Sequence, residues 1–341
     1  MSEQDLVCVL TTIQAPTASV VGLAETLERF SAELVVIGDA KGPDGSEFAV
    51  GEFIGIEKQR HLPFRLALHL PENHYTRKNL GYLVAIARGA ASIYETDDDN
   101  MPLPGWKPRN LRVRARPIKA RRWVNVYRLF SPETLIWPRG FPLDFISDPA
   151  VCSYEALPSV EIDAPIQQGL ANGSPDVDAI WRLLLEEEHT FGREGEKGFW
   201  LPPGTWSPFN SQSTWWWPAA YPLLYLPSFC TFRMTDIWRS FVAQRCLWEL
   251  GAGMVFHGAE VAQQRNQHDL MRDFRDEIPG YLGNGRFCET LDRLRLKAGP
   301  DAVEENLRTC YGALVESEFF PEAELVLVDS WLADIAAVRS Q

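Results

Sequence analysis

Nowhere in the 341 residues does an uninterrupted apolar run reach the roughly 18 residues that a bilayer-crossing helix requires. No transmembrane span is therefore expected. The opening residues, Met1 to Asp5, are acidic where a secretory leader is basic, and the apolar run behind them is short and reads as a buried strand. Cysteine is scarce and scattered. Cys8, Cys152, Cys230, Cys246, Cys288 and Cys310 form no C-x-x-C pair, which argues for reduced thiols in a cytoplasmic protein and against a disulfide framework or zinc site. Positive charge is in deficit: 33 Lys and Arg face 46 Asp and Glu, for a net charge of −13. A general nucleic-acid binder needs the opposite balance to displace counterions, so no nucleic-acid partner is expected. An anionic small ligand stays compatible, because a bound divalent cation reverses the local sign. Internal repeats and low-complexity segments are missing too. What remains, 45% hydrophobic and 23% charged residues, is a globular composition able to bury a large core.

The first hundred residues alternate strand and helix signals. Leu6 to Leu10 is an apolar run ending in Thr11-Thr12, and Pro16-Thr17 opens a helix with Val20, Leu23, Ala24, Leu27 and Phe30 on one face. Leu34 to Ile37 is a second strand, closed by Gly38-Asp39. Thr76 is placed to cap a helix from Arg77 to about Arg88, with Gly89 at its end. Ala91 to Glu95 is a third strand. This alternation implies an α/β fold with a central, mostly parallel sheet flanked by helices. Ligands of such sheets lie beyond the carboxyl ends of the strands, where Thr11-Thr12, Asp39 and Asp97 to Asn100 fall. Further on, helices are expected from Asp176, with Glu186-Glu187-Glu188 as an exposed end, and over Ile237–Leu250 and Asp301–Leu314. The Trp-, Pro- and Tyr-rich segment Phe199–Pro227 reads as loops and short strands roofing a pocket, where Trp faces offer a surface for a sugar ring or simply pack the core. The basic stretch Lys107–Arg122 reads as a solvated face, with a phosphate-facing edge as the alternative.

Asp97, Asp98 and Asp99 are consecutive, and like charges repel unless a cation neutralises them. Carboxylate oxygens suit Mg²⁺ or Mn²⁺, and a nucleotide sugar needs that help as charge grows on its diphosphate. The alternative is a helix cap or solvated turn. Arg77-Lys78-Asn79 is expected at a helix N-terminus, where free N–H groups and two cations suit a diphosphate. Arg139, within Trp137-Pro138-Arg139-Gly140-Phe141-Pro142, suits bidentate contact with phosphate or a structural salt bridge. His257 and His268 are each compatible with a structural or a ligating role.

Arg77-Lys78-Asn79-Leu80-Gly81-Tyr82-Leu83 followed by Ile93-Tyr94-Glu95-Thr96-Asp97-Asp98-Asp99-Asn100 resembles the STELLO-type glycosyltransferase domain. The resemblance runs from Thr11-Thr12-Ile13-Gln14 and Gly38-Asp39-Ala40-Lys41 through Trp137-Pro138-Arg139-Gly140 and Pro175-Asp176-Val177-Asp178-Ala179. It continues through Pro208-Phe209-Asn210-Ser211-Gln212 to Phe232-Arg233-Met234-Thr235-Asp236-Ile237-Trp238. More distantly the chain is similar to the reversibly glycosylated polypeptides, the UDP-arabinopyranose mutases, through the triple Asp and through Arg139-Gly140-Phe141-Pro142. Both resemblances imply a GT-A-like fold, with a nucleotide-sugar-binding half over residues 1–150 and an acceptor-side half, carrying the Trp-rich loops and C-terminal helices, over 151–341. They imply a metal-dependent glycosyltransferase using a nucleotide-diphosphate sugar, a UDP-sugar by preference, with Mn²⁺ or Mg²⁺ and a carbohydrate or other small acceptor. A mutase using Arg139 and a catalytically silent binding or assembly protein are the alternatives, and homo-oligomer formation stays open. The implied site has Thr11, Thr12, Asp39 and Lys41 at the nucleoside, and Arg77, Lys78 and Asn79 at the diphosphate or sugar. Asp97 and Asp98 serve the nucleotide, Asp97 and Asp99 the metal with His257 ahead of His268, and Asp236 and Arg139 the chemistry.

Overall fold

The computed structural model describes residues 6–43, 45, 48–120, 122–132, 134–148, 154–185, 188–192, 198–263 and 269–340. Strands β1 (Leu6–Thr11), β2 (Glu33–Ile37), β3 (Glu52–Ile54) and β4 (Ser92–Thr96) pair in parallel in the order β3-β2-β1-β4. Such strands are apolar nearly end to end because both faces are covered. Along β1, Val7 and Val9 enter one core layer while Leu6, Cys8 and Leu10 enter the other, as the two-residue period of extended chain requires.

Helix α1 (Ala18–Glu28) closes the second layer with Val20, Leu23 and Leu27. It begins where expected: Thr17 Oγ1 accepts from the Val20 amide at 3.1 Å, a cap worth about 1 kcal/mol. A short α2 (Ile56–Arg60) follows β3, and α3 (Lys78–Ala87) brings Leu80 and Leu83 to the first layer. A Cβ on Gly81 would come within 2.6 Å of Val9 Cγ1, so α3 lies close on the sheet only because position 81 is glycine. The start of α3 differs from expectation. A 3₁₀ turn, Tyr75–Arg77, precedes it, and His74 caps that turn by accepting from the Thr76 amide. Thr76 itself is fully buried and bonds the Ser228 hydroxyl at 2.9 Å.

The remaining strands are β5 (Asn100–Pro102), β6 (Arg112–Lys119), β7 (Glu155–Ala156), β8 (Val160–Asp163), β9 (Ile166–Gly173), β10 (Phe199–Leu201), β11 (Ser213–Trp216) and β12 (Met254–Gln263). They extend the sheet to β3-β2-β1-β4-β11-β9-β12-β10-β6-β7, with β5 on β12 and β8 on β6. Along that path β11, β10 and β6 run against β1 and the other strands run with it. The result is the α/β, GT-A-like arrangement expected, a large sheet flanked by helices. The sheet is shared between the two halves, since β5 and β6 pair with β12 and β10. A boundary at residue 150 falls outside the described residues.

The tryptophans of the Trp-rich segment pack the core. Trp215 and Trp216 lie in β11, an interior strand between β4 and β9, and are fully buried with Trp206, because large rings fill the space between sheet and helices. The basic stretch is answered by acid: Arg109 pairs with Glu260, Arg112 with Asp163 and Lys119 with Glu155. Helices α4 (Tyr127–Phe130), α5 (Ala179–Leu185), α6 (Thr235–Trp248), α7 (Leu270–Asp292), α8 (Val303–Glu316) and α9 (Ala323–Arg339) complete the fold. Two carboxylates of α9 tie distant loops: Asp334 accepts from the Arg65 and Leu66 amides, and Glu324 from those of Ser228 and Phe229. Cys8, Cys230, Cys246, Cys288 and Cys310 are free thiols, and Cys152 lies outside the described residues. Among the described residues, no helix is long and apolar enough to cross a membrane.

Candidate active site

The three aspartates follow β4 directly, and each carboxylate is held by a different element. Asp98 Oδ2 accepts from Thr12 Oγ1 at 2.5 Å and Gln14 Nε2 at 3.1 Å, both in the turn after β1. Its carbonyl accepts from Thr17, so the cap of α1 is bonded to the acidic turn. Asp97 Oδ1 accepts from Tyr75 at 3.0 Å and from Lys78 at 3.2 Å. Lys78 is fully buried and also donates to the Thr96 carbonyl at 2.8 Å, so its one charge serves the end of β4. Asp97 keeps 27% of its side chain exposed. Burial raises its pKa, the Lys78 charge opposes that rise, and Asp236 adds to it. Asp236 therefore shares this electrostatic site although it lies 139 residues along the chain, on the first turn of α6.

Asp99 is the least satisfied of the three. Oδ2 accepts from Gln263 Nε2 at 2.9 Å, whereas Oδ1 is buried with no hydrogen-bond partner. Burial, then the charges of Asp97 and Asp98, push its pKa up to about 7. Among the described residues no three His, Cys, Asp or Glu side chains converge to cage a metal ion. The orphaned oxygen of Asp99 is the kind of atom that a hard cation, held by one or two carboxylates and completed by phosphate oxygens, would take.

Most of the other expected residues are bonded into the scaffold. Asp39 is consumed by backbone: it accepts from the amides of Ala40, Asn73 and His74, each at 2.7 Å, and so shapes the loop before α3. Thr11 Oγ1 donates to the Ile37 carbonyl across β1 and β2, and Lys41 is exposed. Asn79 brackets Leu226 with two bonds of 2.9 Å. Arg77 is the N-cap residue of α3, the helix N-terminus expected, but its guanidinium is turned inward. Its side chain is buried, with Nε on Gln59 at 2.6 Å and Nη1 on the Leu70 carbonyl at 3.1 Å. Gln59 in turn donates to the Gly38 and Ile54 carbonyls, so the group locks β2, β3 and the loop together. We therefore expect Arg77→Leu to lower stability by about 1–3 kcal/mol while changing UDP affinity less than twofold. Paired thermal melts and UDP titrations check this; weaker binding at an unchanged melting temperature would restore the ligand role.

His257 does not meet Asp99. It pairs with Gly169 on β9, whereas Gln263, which touches Asp99, pairs with Gly173, four residues or about 13 Å farther along. His257 is buried, bonded to Gln167 at 2.9 Å, and kept neutral first by burial and then by Arg109. The rise of an extended strand separates the two ends of β12, which residue spacing alone does not reveal. His268 lies outside the described residues, as do Glu186 and Glu187.

Arg139 is buried beside Asp236 but bonded on every side. Nε and Nη2 grip the two oxygens of Asp176, each at 2.8 Å, Nη2 reaches Asp236 at 3.0 Å, and Nη1 donates to the Arg233 carbonyl. Arg233 pairs with Glu277, extending the network into α7. Gly140 permits the approach: its φ is +86°, and a Cβ there would come within 2.4 Å of Ile237. Burial disfavours the charge of Arg139, yet Asp176 and Asp236 outweigh it and raise its pKa. A guanidinium so held is a poor nucleophile. Behind the site Glu95 and Arg239 form a second buried pair at 2.8 Å, with Arg239 stacked over Trp216.

Tyr75, Gln263 and Glu277 escape the reading of the sequence, since nothing local marks them, and Gln14 is marked only by lying in a stretch that carried the resemblance. Asp176 and Arg233 lie in stretches that carried the resemblance, though their ion pairs become visible only in three dimensions.

The model of the STELLO glycosyltransferases matches residues 233–341. Over 329 residues, 91% of the chain, the sequence is 29% identical to the "Probable glycosyltransferase STELLO1" of Arabidopsis thaliana. It is 27% identical over 331 residues to the "Probable glycosyltransferase STELLO2" of the same plant. The chain spans 42% of the length of each of these relatives.

Proposed function

From a chain similar to the STELLO glycosyltransferases over nine-tenths of its length, as its motifs implied, we propose a metal-dependent glycosyltransferase that uses a nucleotide-diphosphate sugar, with a UDP-sugar as the donor. One observation carries the reading: three carboxylates follow β4 directly, and the buried Oδ1 of Asp99 has no partner. Asp99, helped by Asp97, holds Mn²⁺ or Mg²⁺, with the donor diphosphate supplying further oxygens. The ion's contribution is to offset the charge that grows on the leaving diphosphate. Thr12 and Gln14 hold Asp98 at the nucleotide end, and Lys78 and Tyr75 hold Asp97. Asp236 is the carboxylate on the acceptor side. Arg139 and the Ser211 amide both bond its Oδ2, which keeps it oriented. A cytoplasmic setting is part of the same proposal.

The mutase alternative needs a covalent sugar on Arg139. Two carboxylates and a carbonyl already take up that guanidinium, so no adduct is expected. Incubation with UDP-sugars, Mn²⁺ and a panel of simple glycosides, read by product analysis and intact-protein mass, tests both readings. Acceptor-dependent release of UDP without a protein adduct is the expected outcome. A stable gain of one sugar mass, lost in Arg139→Lys, would select the mutase instead, and binding of UDP without any turnover would select the silent protein.

A further inference from the structure

Gln212 and Gln263 form a directed chain ending on Asp99. Gln212 Nε2 donates to Gln263 Oε1 at 2.8 Å, and Gln263 Nε2 donates to Asp99 Oδ2 at 2.9 Å. With its oxygen turned toward Gln212, the Gln263 amide presents its NH2 group to Asp99 and so meets it as a donor. That bond occupies one carboxylate oxygen and leaves Oδ1 bare.

The backbone around the chain is tied into the sheet. Gln263 ends β12, paired with Asn100 of β5 on one side and with Gly173 of β9 on the other. The Gln212 carbonyl accepts from Thr96 Oγ1 at 2.7 Å and from Asn100 Nδ2 at 3.1 Å, the residues just before and just after the three aspartates. One residue thus pins both ends of the acidic turn through its backbone and steers Gln263 through its side chain.

We infer that Gln263, steered by Gln212, is the positioning residue that fixes which oxygen of Asp99 is offered to the divalent cation. The inference rests on the metal-binding reading above. Groups behind a metal ligand typically change metal affinity by about 10–100-fold when removed. Gln263→Leu and Gln263→Met, the second preserving side-chain length, should each weaken Mn²⁺ binding in the presence of UDP by about tenfold. UDP binding with chelator present should not change. Gln212→Leu should weaken Mn²⁺ binding by a smaller factor, and the Gln212→Leu/Gln263→Leu double variant should bind no more weakly than Gln263→Leu alone, because the two act in series.

Mn²⁺ titration of the full chain with UDP, followed by electron paramagnetic resonance and accompanied by thermal melts, is the test. Wild-type Mn²⁺ affinity in both Gln263 variants would overturn the inference while leaving the metal reading intact. An additive loss in the double variant would overturn the steering by Gln212. Absence of Mn²⁺ binding by the wild-type protein with UDP would remove the metal reading and this inference together.

Discussion

Arg139→Ala is expected to cost about 3–5 kcal/mol of folding stability, because it leaves two buried carboxylates without their cation. Asp176 and Asp236 are both almost inaccessible, and Arg139 bridges them from a turn locked by Gly140. Arg233 reaches Asp176 only at 3.7 Å and is committed to Glu277 at 2.7 Å, so it does not replace the lost charge. Arg139→Lys should recover only part of the loss, since an ammonium cannot grip both oxygens of Asp176 in the planar fork that Arg makes. Urea denaturation with a constant denaturant slope checks this. A cost under about 1 kcal/mol would mean that the neighbouring groups rearrange around the gap.

Asp97→Ala/Asp99→Ala should weaken UDP binding in the presence of Mn²⁺ by about one hundred to ten thousand-fold. Two charged contacts at about 1.5–3 kcal/mol each correspond to that range, at about 1.4 kcal/mol per decade. Affinity measured with chelator should be equally low for the wild type, and calorimetric titration distinguishes the cases. Equal binding by wild type and variant would remove the proposed cation site. Stability should move the other way for Asp99 alone. Its pKa is raised in the fold to about 7, so folding disfavours its charge. The penalty is absent below the ordinary carboxylate pKa of about 3.9, grows as pH rises from there to about 7, and is full above it. Asp99→Asn should therefore stabilise the metal-free protein at pH 8, with the gain disappearing toward pH 4. A destabilised Asn variant at pH 8 would show that the charge is already compensated.

The strand and helix frame was legible because it depends on local patterns. Thr17 caps α1 wherever the rest of the chain goes, and the continuous apolar runs of β1 and β2 require cover on both faces. The position of Asp97 to Asp99 at a strand's carboxyl end followed from the same periodicity. The start of α6 and the extent of α8 were likewise readable to within two residues. The Pro279-containing α7 and the C-terminal α9 were not read, since proline inside a helix and an apolar stripe without clear caps both obscure the pattern.

What each charged residue does was decided by tertiary structure. Arg77 and Lys78 are neighbours in sequence and equally basic, yet one locks β2, β3 and a loop while the other reaches the end of β4. His257 sits on the strand that touches Asp99, but its partner on β9 lies about 13 Å from the partner of Gln263, which makes that contact, because an extended chain rises steadily from one residue to the next. Asp39 stands where a ligand-binding acid belongs and is consumed by three amides, that of its neighbour Ala40 and two of a loop more than thirty residues away. Gln263 carries no signal in the sequence, and only the crossing of β12 with the turn after β4 sets it against Asp99. Periodicity is a property of neighbours along the chain, whereas a carboxylate's partners are set by which segments the fold brings within about 3 Å.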